Sequence, residues 1–473
     1  MIFRSDPAHF LAFVLVIAGS VTSAFAQSTS QPTSYDLKVS IDPAHGTVTV
    51  KGRIDLVPAL SSERRFEFAL HETLSIKQLR VNGKATSFSL QPEQHTPMRP
   101  ATHIVNVSIP LGVPQQSIRL DIEYEGKLKE LPEFGASDQP LSMDDQINAR
   151  MVELANYSSW YPQFGVYGAP IRVTLELSLP EGWVAICSGK RIEERVENGR
   201  SITRWSSPKD TDILITASPN YKKKSAPLSG GDLEIYYTQL PEEFVTTELH
   251  QIQQVMTLFT TRLGETTIPA GTVKQVYSPK RHGQGRAGIA RPGMIVTSEG
   301  ATLNALASDR NFSLLQDIAH EIAHFWWNFG AGQGDWINEA FAEYFSAIAV
   351  EEVASQEQFE NVLKYYRQQV SDLPSDAPSL SMVPFDGSGF VIRYYKGSLM
   401  LDDFRRALGD KAFFDSARAF FEQYQGKPTN TTDFRSFWKG RLGQRTNSLD
   451  AWLDSTGGVP EEKLKREIGK ATN

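Results

Sequence analysis

The hydrophobic pattern of this chain changes period once, close to Ser229-Gly230-Gly231, and that change limits the folds open to it. Before it, apolar and polar residues alternate in short runs such as Tyr35 to Ile41, Gly46 to Ile54, Ile118 to Tyr124 and Ile171 to Leu179, bounded by Pro, Gly or Asn. Alternation at period two puts apolar side chains on one face of a pleated strand, so a β-rich domain is expected over residues 35–225. After it, apolar residues recur every three to four positions, the spacing of a helix with one buried face. Helices are predicted over 242–263, 313–328, 336–353, 355–371, 392–408, 410–424 and 431–442, with strands at 272–277 and 294–297, in a second domain spanning 226–473.

The first residues have the pattern of an export signal. Arg4 precedes the apolar run Leu11 to Gly19, and Ala24-Phe25-Ala26 forms a small-x-small cleavage site, so 1–26 is assigned as signal peptide and the Ser/Thr/Gln/Pro-rich 27–34 as a linker. The run is too short to span a bilayer, and no longer one follows, so no stable membrane insertion is expected after cleavage. The expected compartment is periplasmic or extracellular. A net charge of −7 leaves no basic excess for nucleic acid. Cys187 is the single cysteine and cannot pair within the chain, and its strand-like surroundings make it a core residue rather than a nucleophile.

The chemistry concentrates at His320-Glu321-Ile322-Ala323-His324, an H-E-x-x-H pattern that works only on a helix. Residues four apart share a helix face, so both imidazoles can ligate one ion while Glu321 reaches a water beside it. Apolar residues at helical spacing lead into the motif through Leu314, Leu315 and Ile318 and continue through Phe325-Trp326-Trp327. A catalytic zinc site takes a third protein ligand and keeps one position open. No histidine follows His324, which points to a carboxylate. Glu339 and Glu343 lie one turn apart in Trp336-Ile337-Asn338-Glu339-Ala340-Phe341-Ala342-Glu343, and spacing does not choose between them.

With these residues in view the chain resembles the aminopeptidase N family of zinc peptidases, whose H-E-x-x-H is followed by a W-L-N-E-G-F-A segment similar to Trp336 to Ala342. The resemblance implies one zinc ion held by His320, His324 and Glu339, although the fourteen residues from Phe325 to Asn338 make a shorter interval than the family's and by count Glu343 would fit. Tyr394-Tyr395-Lys396-Gly397 is similar to the family's Y-x-K-G, which implies that Tyr394 donates to the oxyanion. The implied fold is a saddle-like β domain followed by a thermolysin-like, mainly helical zinc peptidase domain, in a short form without the large helical C-terminal domain of longer members. Trp160-Tyr161-Pro162, Trp452 and Gly457-Gly458-Val459-Pro460 extend the likeness over nearly the whole mature chain.

One departure concerns the substrate. The family's G-x-M-E-N glutamate, which holds a free amino group, has Ala290 in its place, with Arg291 beside it. A cation there would repel an N-terminal ammonium. Glu153, nine residues before Pro162, stands where the family has a second amine-binding glutamate and is the tentative replacement. The expected activity is hydrolysis of peptide bonds by metal-activated water, aminopeptidase-like in form, with Glu321 as base. A peptidase or amidase for blocked or internal bonds is the alternative, and an inactive binding or scaffold homologue is the reading from a different class.

Overall fold

The structure, a computed structural model, describes residues 30–460 apart from 58–63, 93–101, 115, 129–145, 165–169, 267, 269–271, 280–287, 309–310, 328–334, 385–388, 428 and 444–445. The assigned signal peptide lies outside the described residues. Residues 31–34 of the expected linker are already strand, within Gln31–Asp42.

The first half is β-rich. From edge to edge, its eight-stranded sheet runs Lys190–Glu197, Arg200–Asp210, Ile171–Pro180, Gln31–Asp42, Thr47–Val57, Ile118–Lys127, Leu74–Val81 and Lys84–Ala85. Gln31–Asp42 pairs antiparallel with Thr47–Val57 and parallel with Ile171–Pro180, in register Leu37 to Leu175. Alternate residues such as Leu37, Val39 and Ile41 are buried in a core shared with Val105, Trp160 and Trp205. A three-stranded sheet (Arg65–His71, Thr102–Ser108, Phe88–Pro92) and a four-stranded one (Val184–Cys187, Ile215–Ser218, Met151–Leu154, Gln146–Asn148) complete this half. Cys187 is buried in its core.

A five-stranded sheet begins the second half, ordered Lys222–Leu228, Gly231–Tyr237, Val273–Ser278, Met294–Ser298 and Gly288–Arg291. The Ser229-Gly230-Gly231 stretch is the turn between the first two of these strands, so the change of period there falls inside a hairpin of this sheet. Nine α-helices follow or interleave among the described residues: α1 Glu242–Leu263, α2 Glu299–Ala307, α3 Asn311–Ala323, α4 Asp335–Val353, α5 Gln356–Ser371, α6 Gly397–Leu408, α7 Asp410–Tyr424, α8 Thr431–Leu442 and α9 Thr446–Asp454. Helix α4 is the axis of this half. Fifteen residues from Asp335 to Val350 are buried, because neighbours pack on every side of the helix. Trp327 stacks on Phe341 at 4.0 Å, and Phe345, Phe420, Phe434 and Trp438 close the cluster around Phe341. Each such fully buried apolar side chain contributes roughly 1.5–3 kcal/mol.

The halves meet along a seam where Ala155, Ile186, Leu214 and Tyr221 pack against Tyr236, Val276, Ile289, Met294 and Val296. Polar ties cross it. Lys274 Nζ donates to the carbonyls of Cys187, at 2.6 Å, and Gly189. Arg291 Nε donates to Asp212 Oδ2 at 2.9 Å, and Ser278 donates to Glu153.

Candidate metal centre

Helix α3 carries the H-E-x-x-H motif, and the expected helix over 313–328 ends earlier than predicted, at Ala323. Beyond it the chain turns tightly: Phe325 N–H bonds to Ile322 O at 2.9 Å, and Trp326 and Trp327 N–H both reach Ala323 O. The tightening swings the Trp327 carbonyl to 3.0 Å from His324 Nδ1. A carbonyl can only accept, so His324 carries its hydrogen on Nδ1 and presents the Nε2 lone pair.

His320 is arranged in the same way by a different partner. Its Nδ1 lies 2.8 Å from Glu343 Oε2, and that carboxylate accepts in turn from Tyr366 at 2.5 Å and from Gln316 at 3.2 Å. With both Nδ1 atoms donating outward, the two Nε2 atoms face each other at 3.2 Å. Glu339 Oε2 completes the triangle, 3.4 Å from His320 Nε2 and 3.7 Å from His324 Nε2. Donors about 2.0–2.1 Å from a tetrahedral zinc stand roughly 3.4 Å apart, which is the spacing of this triangle.

Glu339 Oε2 is also buried with no hydrogen-bond partner in the protein. Two lone-pair nitrogens and an unpartnered carboxylate oxygen are repulsive unless a cation lies between them. His320, His324 and Glu339 thus form a possible metal site that fits a divalent ion by spacing and donor chemistry. Two carboxylates dominate the electrostatics around the rings. Burial disfavours a charged His320, yet Glu339 and Glu343 push its ring well above the ordinary imidazole range. Burial pushes Glu339 upward, and His324, His320 and Arg393 more than offset it, holding the carboxyl below its usual range.

Glu321 lies beside this triangle. Burial raises its carboxyl above the usual range, with Glu339 reinforcing the shift and His320, His324 and Arg291 opposing it. The edge strand Gly288–Arg291 passes directly over it: a Cβ on Gly288 would lie 2.0 Å from Glu321 Oε1. Tyr394 closes the opposite side, its ring stacked on His320 at 5.5 Å and an interplanar angle of 6°. Burial, then the Glu339 charge, push its phenol well above the ordinary range, so it is a neutral donor. It sits in a π-helical turn, Ile392–Lys396, where a uniform α-helix is predicted. Such turns insert an extra residue and recur at functional sites.

The structure thus brings together His320, Glu321, His324, Glu339 and Tyr394. It does not treat the tentative substrate residues alike. Ala290 is packed in the helical half's core. Glu153 is buried and accepts from Ser278 across the seam, a requirement no local pattern reveals. The expected repulsion from Arg291 also needs correcting, because its charge is balanced by Asp212, which accepts further bonds from Tyr161 OH at 2.8 Å and Ile213 N–H at 2.6 Å. Sequence reasoning missed Gln316 and Tyr366. Gln316 lies one turn before His320 on the same helix face, a signal that was present, whereas nothing local marks Tyr366. Because Glu343 fixes the orientation of His320, Glu343→Gln is expected to weaken zinc binding about 10–100-fold while leaving the three ligand atoms in place, measurable by competition with a chromogenic chelator.

A β-rich half is seated against a helical half, with two histidines from one helix and a glutamate from the next around a single point. The M1 zinc metallopeptidase from Deinococcus radiodurans has this architecture: the two structures superimpose with a TM-score of 0.69, covering 92% of this chain and 96% of that one at 18% identity. Residues 286–452 match the peptidase family M1 domain. The chain is 28% identical over 164 residues to aminopeptidase N of Streptomyces lividans and 32% identical over 160 residues to that of Lactococcus lactis subsp. lactis. Each match takes in 30% of this chain and 18% of the relative, so the chain spans less than a fifth of their length.

Proposed function

We propose that this protein is a zinc-dependent peptidase that hydrolyses peptide bonds, aminopeptidase-like in form. One observation carries the reading: the ligand atoms of His320, His324 and Glu339 converge within 4.8 Å of one another. Glu321 and Tyr394 flank that triangle. Zinc held there supplies Lewis-acid polarisation of a carbonyl and a lowered water pKa. Glu321 accepts the proton of the attacking water and returns it to the leaving amine, a task helped by a carboxyl raised toward neutrality. Tyr394 donates its phenol hydrogen to the developing oxyanion. Glu343 and the Trp327 carbonyl keep the imidazoles in the tautomer that binds metal.

A second reading, cleavage of blocked or internal bonds, is favoured by the residues on the edge strand. Ala290 offers no carboxylate there. A single assay separates the readings: matched peptides with free and N-acetylated termini, digested with and without chelator. Chelator-sensitive cleavage of the free peptide at ten times the acetylated rate or more would support the aminopeptidase form, and equal rates would replace it with the second. Cleavage indifferent to chelator would remove the zinc reading. Export is part of the proposal and is supported by the Arg4, Leu11 to Gly19 and Ala24-Phe25-Ala26 pattern. No helix among the described residues is long and apolar enough to cross a membrane.

A further inference from the structure

The tyrosine-bearing turn contains a charged residue that the proposed reaction leaves without a role. Lys396 stands two positions after Tyr394 and has no exposed surface. An ammonium that deep is costly unless its hydrogens find acceptors. Nζ donates to the carbonyls of Ser455, at 2.7 Å, and Gly457, at 2.8 Å. Burial lowers the amine to about 8, which still leaves it mostly protonated near neutral pH.

Those acceptors are themselves held firmly. Gly457 has φ +66°, a Cβ on it would lie 3.1 Å from Ser375 Cα, and its N–H bonds to Ala377 O at 2.9 Å. Gly457 therefore turns its carbonyl toward the lysine while packing on backbone at Pro374 and Ser375. Other anchors tie the turn to α4. Arg393 donates to Asp335 Oδ2 at 2.7 Å, Ser398 donates to Ala340 O at 3.2 Å, and Gly397 is seated so closely that a Cβ would lie 2.5 Å from Ala340 Cβ. Tyr394 lies between these attachments. They are needed because a π-helical turn is an unfavoured local form, and relaxing to α-helix would shift the register by one residue, rotating the tyrosine by about 100°.

We propose that Lys396 is a positioning residue: its two bonds to the Ser455 and Gly457 carbonyls hold the π-helical turn so that the Tyr394 hydroxyl faces the metal site. This rests on the reading of Tyr394 as the oxyanion donor. The test is a double-mutant cycle on the full chain loaded with zinc, with Lys396→Met and Lys396→Gln each made alone and together with Tyr394→Phe. Tyr394→Phe should lower kcat about 100-fold, the usual effect of losing one such donor. Lys396→Met should lower kcat about tenfold or more, with KM and zinc content little changed, and Lys396→Gln, which keeps an N–H donor, should fall between. In the Phe background neither lysine change should move kcat by more than about twofold.

An unaltered kcat in Lys396→Met, or an equal loss with and without the tyrosine hydroxyl, would overturn the proposal. The Gln variant carries the same comparison if the Met protein fails to fold by circular dichroism. Full kcat in Tyr394→Phe would remove the tyrosine reading and this inference with it. A large loss there beside an inert Lys396→Met would sink the lysine alone.

Discussion

Glu321→Gln is expected to lower kcat about 1,000-fold while the protein keeps one zinc per chain. The amide has nearly the shape of the carboxylate, so the contact with the Gly288 backbone survives, and none of the three ligand atoms is touched. What disappears is the ability to take a proton from water and hand it to the departing amine. General acid and base catalysis by one side chain is worth about 10²–10⁴ in rate, and here a single group serves both halves of the reaction. Steady-state kinetics on a free peptide, read beside metal analysis of the same preparation, decide the matter. Undiminished turnover would strip Glu321 of the role, and a parallel loss of zinc would make the residue structural.

Glu339→Ala should fail at an earlier point, because the metal itself is lost. Its Oε2 has no hydrogen-bond partner within the protein, and its truncation removes one of three ligand atoms. After dialysis against metal-free buffer, atomic absorption should find well under one zinc per ten chains, with activity falling about 1,000-fold or more. Stoichiometric zinc in this variant would show that Glu343 can ligate instead. For that, Glu343 would have to leave His320 Nδ1, Tyr366 and Gln316, three partners that hold it behind the imidazole. The two variants also check each other, since the first loses turnover with the metal bound and the second loses both.

Strongly periodic segments were legible in the sequence almost to the residue. Helices α1, α7 and α8 occupy the spans that their apolar spacing predicts, because an amphipathic stripe and its end residues are local properties. The triangle of candidate ligands was legible for a related reason: His320 and His324 stand on one helix, and Glu339 on the next. Features that depend on distant partners were not readable. Glu153 bonds to a serine 125 residues away and Arg291 to an aspartate 79 residues away, so their burial has no local signature. The π-helical turn escaped as well, since a slip of one hydrogen bond hardly disturbs the hydrophobic stripe on either side. Short helices α2 and α9 were missed because nine residues hold too few repeats to show a period.

The placement of Gln31–Asp42 inside the eight-stranded sheet has a consequence for how the chain is born. Its parallel neighbour, Ile171–Pro180, leaves the ribosome long afterwards, and only then can Ser34 meet Arg172. Until that moment the growing sheet ends in an open edge of unpaired amides and carbonyls, the surface on which nascent chains most readily associate. Closing so wide a span costs entropy before any contact repays it, so this half should acquire its structure late and slowly.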